Sequence, residues 1–155
     1  MVTSTNRPPA GEGSPQGEPE AAGEAPLERL RVLVVEDNVV NRQILQLVLR
    51  KKFGIASVAV EDGESAVEAA AAEPFDVVLM DLQMPGIDGV EATRRIRERS
   101  GEGPPVILAL SASTVDADRD RCLAAGMDGF LTKPVVPADL RGELERCALR
   151  MTGRA

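Results

Sequence analysis

Histidine, tryptophan and tyrosine are all missing from the 155 residues, and only two cysteines and three aromatic side chains, each a Phe, are present. Without His there is no imidazole general base, no His-metal site, no Ser/His or Cys/His nucleophile system and no phosphohistidine of the chain's own. Without Trp or Tyr, base stacking is poorly supported. Cys122 and Cys147 lie far apart, each inside a helical pattern, so they read as two reduced helix residues and not as a disulfide framework or a zinc site. Basic side chains number 18 against 25 acidic, a net charge of -7 that argues against nucleic acid or anionic lipid as a partner, since both need a basic face. No apolar run approaches the ~20 residues needed to cross a bilayer, and the polar start Met1–Asn6 lacks the basic-then-apolar order of an export signal. The expectation is a soluble, cytoplasmic protein without membrane contact, working with carboxylates, Lys and hydroxyls.

What is present falls into two parts. Residues 1–29 are dominated by Pro, Gly, Glu, Ser and Ala, with Pro8, Pro9, Pro15, Pro19 and Pro26, and too little large apolar surface to offset the entropy of ordering. They read as a disordered tail or linker with a short lead-in at Leu27–Leu30. One domain is expected over 30–151, followed by a short tail at 152–155; a second core does not fit in the length available.

Within that domain short aliphatic runs alternate with stretches of helical period. The strand candidates are Arg31–Val35, Ala56–Val60, Asp76–Met80, Val106–Leu110 and Gly129–Thr132, mostly apolar on both faces, as a sheet covered on both sides requires. Between them, Val40, Ile44, Leu47 and Val48 share a face of the first helix. Gly63–Glu73 is Ala-rich, Val90, Thr93 and Ile96 line a third helix, and Val115–Ala125 ends at Gly126, a natural left-handed cap. Leu140, Leu144, Cys147 and Met151 share a face of the last, with Pro137 suited to its first turn. Five strand-helix alternations predict a doubly wound α/β fold with a five-stranded parallel sheet.

Four of the five strands run straight into a residue capable of chemistry: Glu36 and Asp37 after Val35, Asp81 after Met80, Ser111 after Leu110 and Lys133 after Thr132. Parallel strands put these ends on one edge, where ligands bind at the point of strand-order reversal. If the order is 2-1-3-4-5, Glu36, Asp37 and Asp81 surround one crevice. Three carboxylates there repel, and a hard divalent ion removes the conflict; oxygen-only ligands select Mg2+ or Mn2+ over Zn2+. Lys133 adds a positive charge and Ser111 a hydroxyl, so a phosphoryl group on Asp81 would have its oxygens met. The first strand leads into Glu36-Asp37-Asn38 and not into G-x-G-x-x-G or a P-loop, so dinucleotide and nucleoside triphosphate binding lose their usual basis. Taken singly these residues have duller explanations: Glu36-Asp37-Asn38 a helix cap, Asp81 a turn former, Lys133 a surface charge, Asp88-Gly89 a plain turn, Phe130 a core residue.

The motifs Val32-Leu-Val-Val-Glu-Asp-Asn38, Met80-Asp-Leu-Gln-Met-Pro-Gly-Ile-Asp-Gly89 and Ala125-Gly-Met-Asp-Gly-Phe-Leu-Thr-Lys-Pro134, with Asn41-Arg42-Gln43 and Glu91-Ala92-Thr93-Arg94 after the first two, resemble the receiver domain of two-component response regulators. The similarity is strongest to receivers attached to hybrid sensor histidine kinases, and it covers roughly Leu30 to Met151. The resemblance implies a flavodoxin-like sheet of order 2-1-3-4-5 and gives each residue a role. Asp81 matches the phosphoacceptor, Asp37 a direct Mg2+ ligand, Glu36 its indirect neighbour, and Gln83 the position whose main-chain carbonyl completes the protein's share of the metal shell. Ser111 matches the hydroxyl that follows the phosphoryl group, Lys133 the conserved-type cation, Phe130 the aromatic switch, and Lys133-Pro134 a peptide bond commonly cis. Gln83 and Ser113 occupy positions that tune phosphoryl lifetime. Ser111 stands where Thr is frequent, Phe130 where Tyr is common and Ile87 where Met is usual; none removes a required group.

The implied partner is a histidine kinase or a histidine phosphotransfer domain as donor, and the implied output a changed surface near the fourth helix, fifth strand and fifth helix. That is a phosphoacceptor with self-phosphorylation and autodephosphorylation chemistry, not a turnover enzyme. The chain runs only a few residues past its last helix, so the expected context is the receiver segment of a hybrid histidine kinase, with a stand-alone single-domain regulator as alternative. Two rivals differ in kind: a haloacid-dehalogenase-type phosphatase, which needs an acid where Gln83 stands, and a degenerate receiver that only binds.

Overall fold

A computed structural model describes residues 27–100, 105–112 and 116–154. Of the tail expected at 1–29, residues 1–26 lie outside the described residues, as does the tuning position Ser113. The chain enters through one 3-10 turn, Leu27–Arg29, and then alternates: β1 (Val32–Val35), α1 (Val39–Phe53), β2 (Ser57–Val60), α2 (Gly63–Ala72), β3 (Val77–Asp81), α3 (Gly89–Ser100), β4 (Val106–Ser111), α4 (Asp116–Ala125), β5 (Gly129–Thr132) and α5 (Pro137–Arg154). The five strands form one parallel sheet, as the alternation predicts, in the order β2-β1-β3-β4-β5 that the resemblance implies. Strand limits differ from the expected ones by a residue at most, with β3 and β4 each running one residue further, into Asp81 and Ser111; α5 runs past Met151 to Arg154, into the tail expected at 152–155.

Strand parity sorts the core into two layers, because successive side chains point to opposite faces. Val32, Val34, Val77, Leu79, Leu108 and Leu110 face α1 and α5, where Leu49, Phe53, Leu140, Leu144 and Cys147 cover them. Leu33, Val35, Val78, Met80, Ile107 and Ala109 face the other way, against Ala66 of α2, Val90 and Ile96 of α3, and Cys122 of α4. β1, β3 and β4 are buried along their whole length, while the edge strands β2 and β5 are only partly covered.

The expected packing face of α1 is overturned. Val40, Ile44 and Leu47 are exposed and Val48 only partly buried, whereas Leu45, Leu49 and Phe53 are buried. Apolar residues are spread round the helix between polar ones, so periodicity alone does not choose a face; the sheet takes the one that brings in Phe53. On α3 the expected Val90, Thr93 and Ile96 are indeed buried. Arg97 of the same helix reaches the α4–β5 turn: its Nε donates to Gly126 O at 2.9 Å and its Nη2 to Asp128 Oδ2 at 2.7 Å. Gly126 has φ +109°, the left-handed cap expected of it.

Candidate functional site

Register builds the site. Val35 pairs with Met80 and Asp81 with Leu110, so the residues at the ends of β1, β3 and β4 come level on the carboxyl edge of the sheet. Ser111 pairs with Thr132, and the Lys133 N–H continues the ladder by donating to Ser111 O at 2.8 Å. The order reverses between β2-β1 and β3, which opens the crevice there. Asn38, and neither acid before it, caps α1: its side chain accepts from Asn41 N at 3.0 Å. Glu36 and Asp37 are thereby left to the crevice.

Around that crevice, one ligand oxygen from each of Glu36, Asp37 and Asp81 lies within 4.8 Å of the others. Glu36 and Asp81 are 1% and 2% exposed, while Asp37 is open to solvent. Lys133 Nζ stands 3.0 Å from Asp81 Oδ1 and 3.0 Å from Glu36 Oε2. The Gln83 N–H also donates to Asp81 Oδ1, at 3.1 Å, so the Gln83 peptide lies directly against the carboxylate. Ser111 closes the other side at the end of β4, nearly buried. The Lys133-Pro134 bond is cis. Phe130 is half buried on β5, with the Arg119 guanidinium 4.8 Å above its ring.

Charges in this crevice hold one another away from their ordinary behaviour. Burial pushes the Glu36 carboxyl up, the Asp81 charge adds to this, and hydrogen bonding and attraction from Lys133 pull the other way without cancelling it. For Lys133 burial works to lower the pKa, but the bonds and charges of Asp81 and Glu36 outweigh it and hold the ammonium above its ordinary value. A raised acid beside a second carboxylate, with an all-oxygen donor set and no His or Cys in the group, fits a hard divalent cation such as Mg2+.

Asp81 also borders a polar cavity of about 380 Å3, whose wall includes Gln83, Asp88, Ser111, Arg121 and Lys133. Asp88 and Arg121 carry no site role in the sequence reading. Asp88 reads as a turn former in the sequence, and nothing there singles out Arg121; only the packing of α4 beside the β3–α3 loop brings them to the cavity.

Comparison with known proteins places this architecture. Residues 32–145 match the response regulator receiver domain family. The sensor histidine kinase GacS of Pseudomonas protegens is 40% identical over 128 residues, an alignment covering 81% of this chain but 13% of that protein. Among solved structures, the receiver domain of the Saccharomyces cerevisiae response regulator Ssk1, co-crystallised with the histidine phosphotransfer protein Ypd1, superposes with a TM-score of 0.75 at 31% identity, over 81% of this chain and 92% of that one. The receiver domain of sensor histidine kinase PA1611 from Pseudomonas aeruginosa, with magnesium coordinated in its active-site cleft, gives 0.70 at 39% identity, over 77% of this chain and 97% of that one. Among the described residues no helix is long and apolar enough to cross a membrane. With its sheet order, its acidic crevice and a family match over most of its length, the chain belongs to the response regulator receiver domains of two-component signalling.

Proposed function

We propose that this receiver accepts a phosphoryl group on Asp81 from a partner phosphohistidine. The observation that carries the reading is the Asp81 carboxylate, buried at the end of β3, with Lys133 on Oδ1 at 3.0 Å and the oxygens of Glu36 and Asp37 beside it. Lys133 and the Gln83 N–H fix Oδ1, which leaves Oδ2 as the attacking oxygen. The new P–O bond forms as the P–N bond to the partner's imidazole breaks, and the departing nitrogen takes a proton from solvent. Asp37, Asp81 and the Gln83 main-chain carbonyl would hold Mg2+, with Glu36 contributing indirectly, and the same donors would take Mn2+. Such an ion supplies charge stabilisation for the phosphoryl oxygens. The chain's own residues do the positioning: Lys133 and the Ser111 hydroxyl meet phosphoryl oxygens, and the pull on Ser111 shifts β4's end and biases the surface around Phe130, α4 and α5.

A histidine kinase or histidine phosphotransfer domain is the donor in this reading, in a cytoplasmic setting. The exposed Ile44 supports it, since with Val48, Pro134 and Val135 it lines an apolar groove that reaches Lys133, and Val40 and Leu47 are exposed on the same helix. A partner seated there would bring its histidine to Asp81. Likeness to part of the sensor histidine kinase GacS supports reading the chain as the receiver segment of a hybrid histidine kinase, with a single-domain regulator as the alternative; flanking coding sequence decides between them.

Incubation with acetyl phosphate and Mg2+ tests the acceptor role. Intact mass should show one phosphoryl adduct that is lost in Asp81→Ala, and an adduct that persists in that variant overturns the assignment. Steady turnover of small phosphate esters would instead favour a phosphatase.

A further inference from the structure

We propose that Arg121 is a positioning residue for the phosphoryl group: Asp88 holds it in the unmodified protein, and it turns to the phosphoryl oxygens once Asp81 is modified, lengthening the life of the acyl phosphate. This rests on the reading of Asp81 as acceptor and adds a residue to it.

The cavity beside Asp81 has two walls. On one stand Lys133 and Ser111, at the ends of β5 and β4; on the other stand Asp88, from the loop before α3, and Arg121, from α4. At about 380 Å3 the space takes a phosphoryl group and several waters together. Water entering from the second wall is what ends the modified state: its oxygen bonds to phosphorus, the P–O bond to Asp81 breaks, and carboxylate, inorganic phosphate and one proton are released. A cation on that wall both neutralises the phosphoryl oxygens and occupies the path of the water.

Arg121 suits the task. Its Nη2 lies 3.7 Å from Asp88 Oδ2, with side-chain exposures of 60% and 45%, a long and solvated ion pair of the kind that holds little energy. Asp88 is fixed in place by a different bond, Oδ1 accepting from Glu91 N at 2.9 Å at the start of α3, so the guanidinium is the partner that moves. A phosphoryl group carries about -1.5 to -2 charge against -1 on Asp88 and offers paired oxygens matched to the guanidinium fork. Because Arg121 belongs to α4, the exchange also ties that helix to the state of Asp81.

The test uses the full chain, labelled with acetyl phosphate and Mg2+, freed of donor and followed by intact mass. Arg121→Ala should shorten the half-life of the adduct about three- to tenfold, Arg121→Lys should restore part of it, and Arg94→Ala, on the exposed side of α3, should match the parent. Asp88→Asn keeps a cap on α3, as Asn caps well, but removes the charge that draws Arg121 to Asp88; it should lengthen the half-life, and adding Arg121→Ala should erase that gain. In the 15N spectrum, the Arg121 Nε–H signal should shift when the tetrahedral mimic beryllium fluoride is added. A half-life for Arg121→Ala within twofold of the parent, an unmoved Arg121 signal, or shortening in Asp88→Asn equal to that in Arg121→Ala overturns the proposal. Parent protein that takes no label overturns the acceptor reading instead, a separate failure.

Discussion

Lys133 Nζ stands 3.0 Å from Asp81 Oδ1 while a second buried acid, Glu36, lies at the same distance from the same nitrogen. One ammonium therefore holds two carboxyls that would otherwise face each other inside the protein, and the fold tolerates their burial because of it.

Removal of that ammonium should be costly where the acids are ionised. In the metal-free protein, Lys133→Ala is expected to lose about 1 to 3 kcal/mol at pH 7.5, less than for a fully buried pair because a quarter of the Lys side chain meets solvent. The sign follows from the shifts. A Lys raised in the folded state contributes stability fully present below its unfolded value and lost as pH rises through the folded one, so the parent keeps this term at neutral pH. The raised Glu36 works against folding above its own titration, and that penalty fades as pH falls through its folded pKa towards the unfolded value of 4.5. Urea melts of both proteins at pH 7.5 and 5 should show the gap narrowing on acidification; a constant gap refutes the coupling.

Magnesium should act on the same charges. Burial holds the Glu36 carboxyl above its ordinary value, so a proton competes there with the cation and the rise in Tm produced by Mg2+ is expected to be larger at pH 7.5 than at pH 5. Glu36→Gln should flatten most of that difference. Calorimetry with and without Mg2+ at the two pH values measures it, and equal shifts at both would remove the metal from this crevice.

Gly89 is more than a turn residue. A Cβ there would fall 2.3 Å from the Asp81 carbonyl oxygen and 3.0 Å from the Leu82 Cα, so the first turn of α3 lies against the backbone of the acceptor itself. Gly89→Ala should cost about 1 to 3 kcal/mol through forced displacement and cut phosphoryl labelling several-fold. Denaturant melts and acetyl phosphate labelling check the two effects, and a variant that melts and labels like the parent contradicts the close approach.

Two apolar residues of α1 should behave oppositely. Leu49→Ala, at a fully buried position, is expected to cost about 2 to 5 kcal/mol, whereas Ile44→Ala, on the exposed face, should stay within about 0.5 kcal/mol. Phosphotransfer from a histidine phosphotransfer protein should slow in Ile44→Ala and leave labelling by acetyl phosphate unchanged. A fall in both would place Ile44 in the fold and not on a partner surface.

Sequence alone determined the alternation of elements, the parallel sheet and the placing of Glu36, Asp81, Ser111 and Lys133 at strand ends, because each depends on local period and on the single direction of parallel strands. Tertiary structure decided what local pattern leaves degenerate. The apolar residues of α1 are spread round the helix between polar ones, so only docking onto the sheet selects Leu45, Leu49 and Phe53 and turns Val40, Ile44 and Leu47 to solvent. Arg97 is held by Gly126 and Asp128 in the turn after α4, and Arg121 becomes part of the cavity beside Asp81 only because α4 packs next to the loop that carries Asp88. Helix faces and rim residues are set by contacts distant in sequence, and a one-dimensional period contains no term for them.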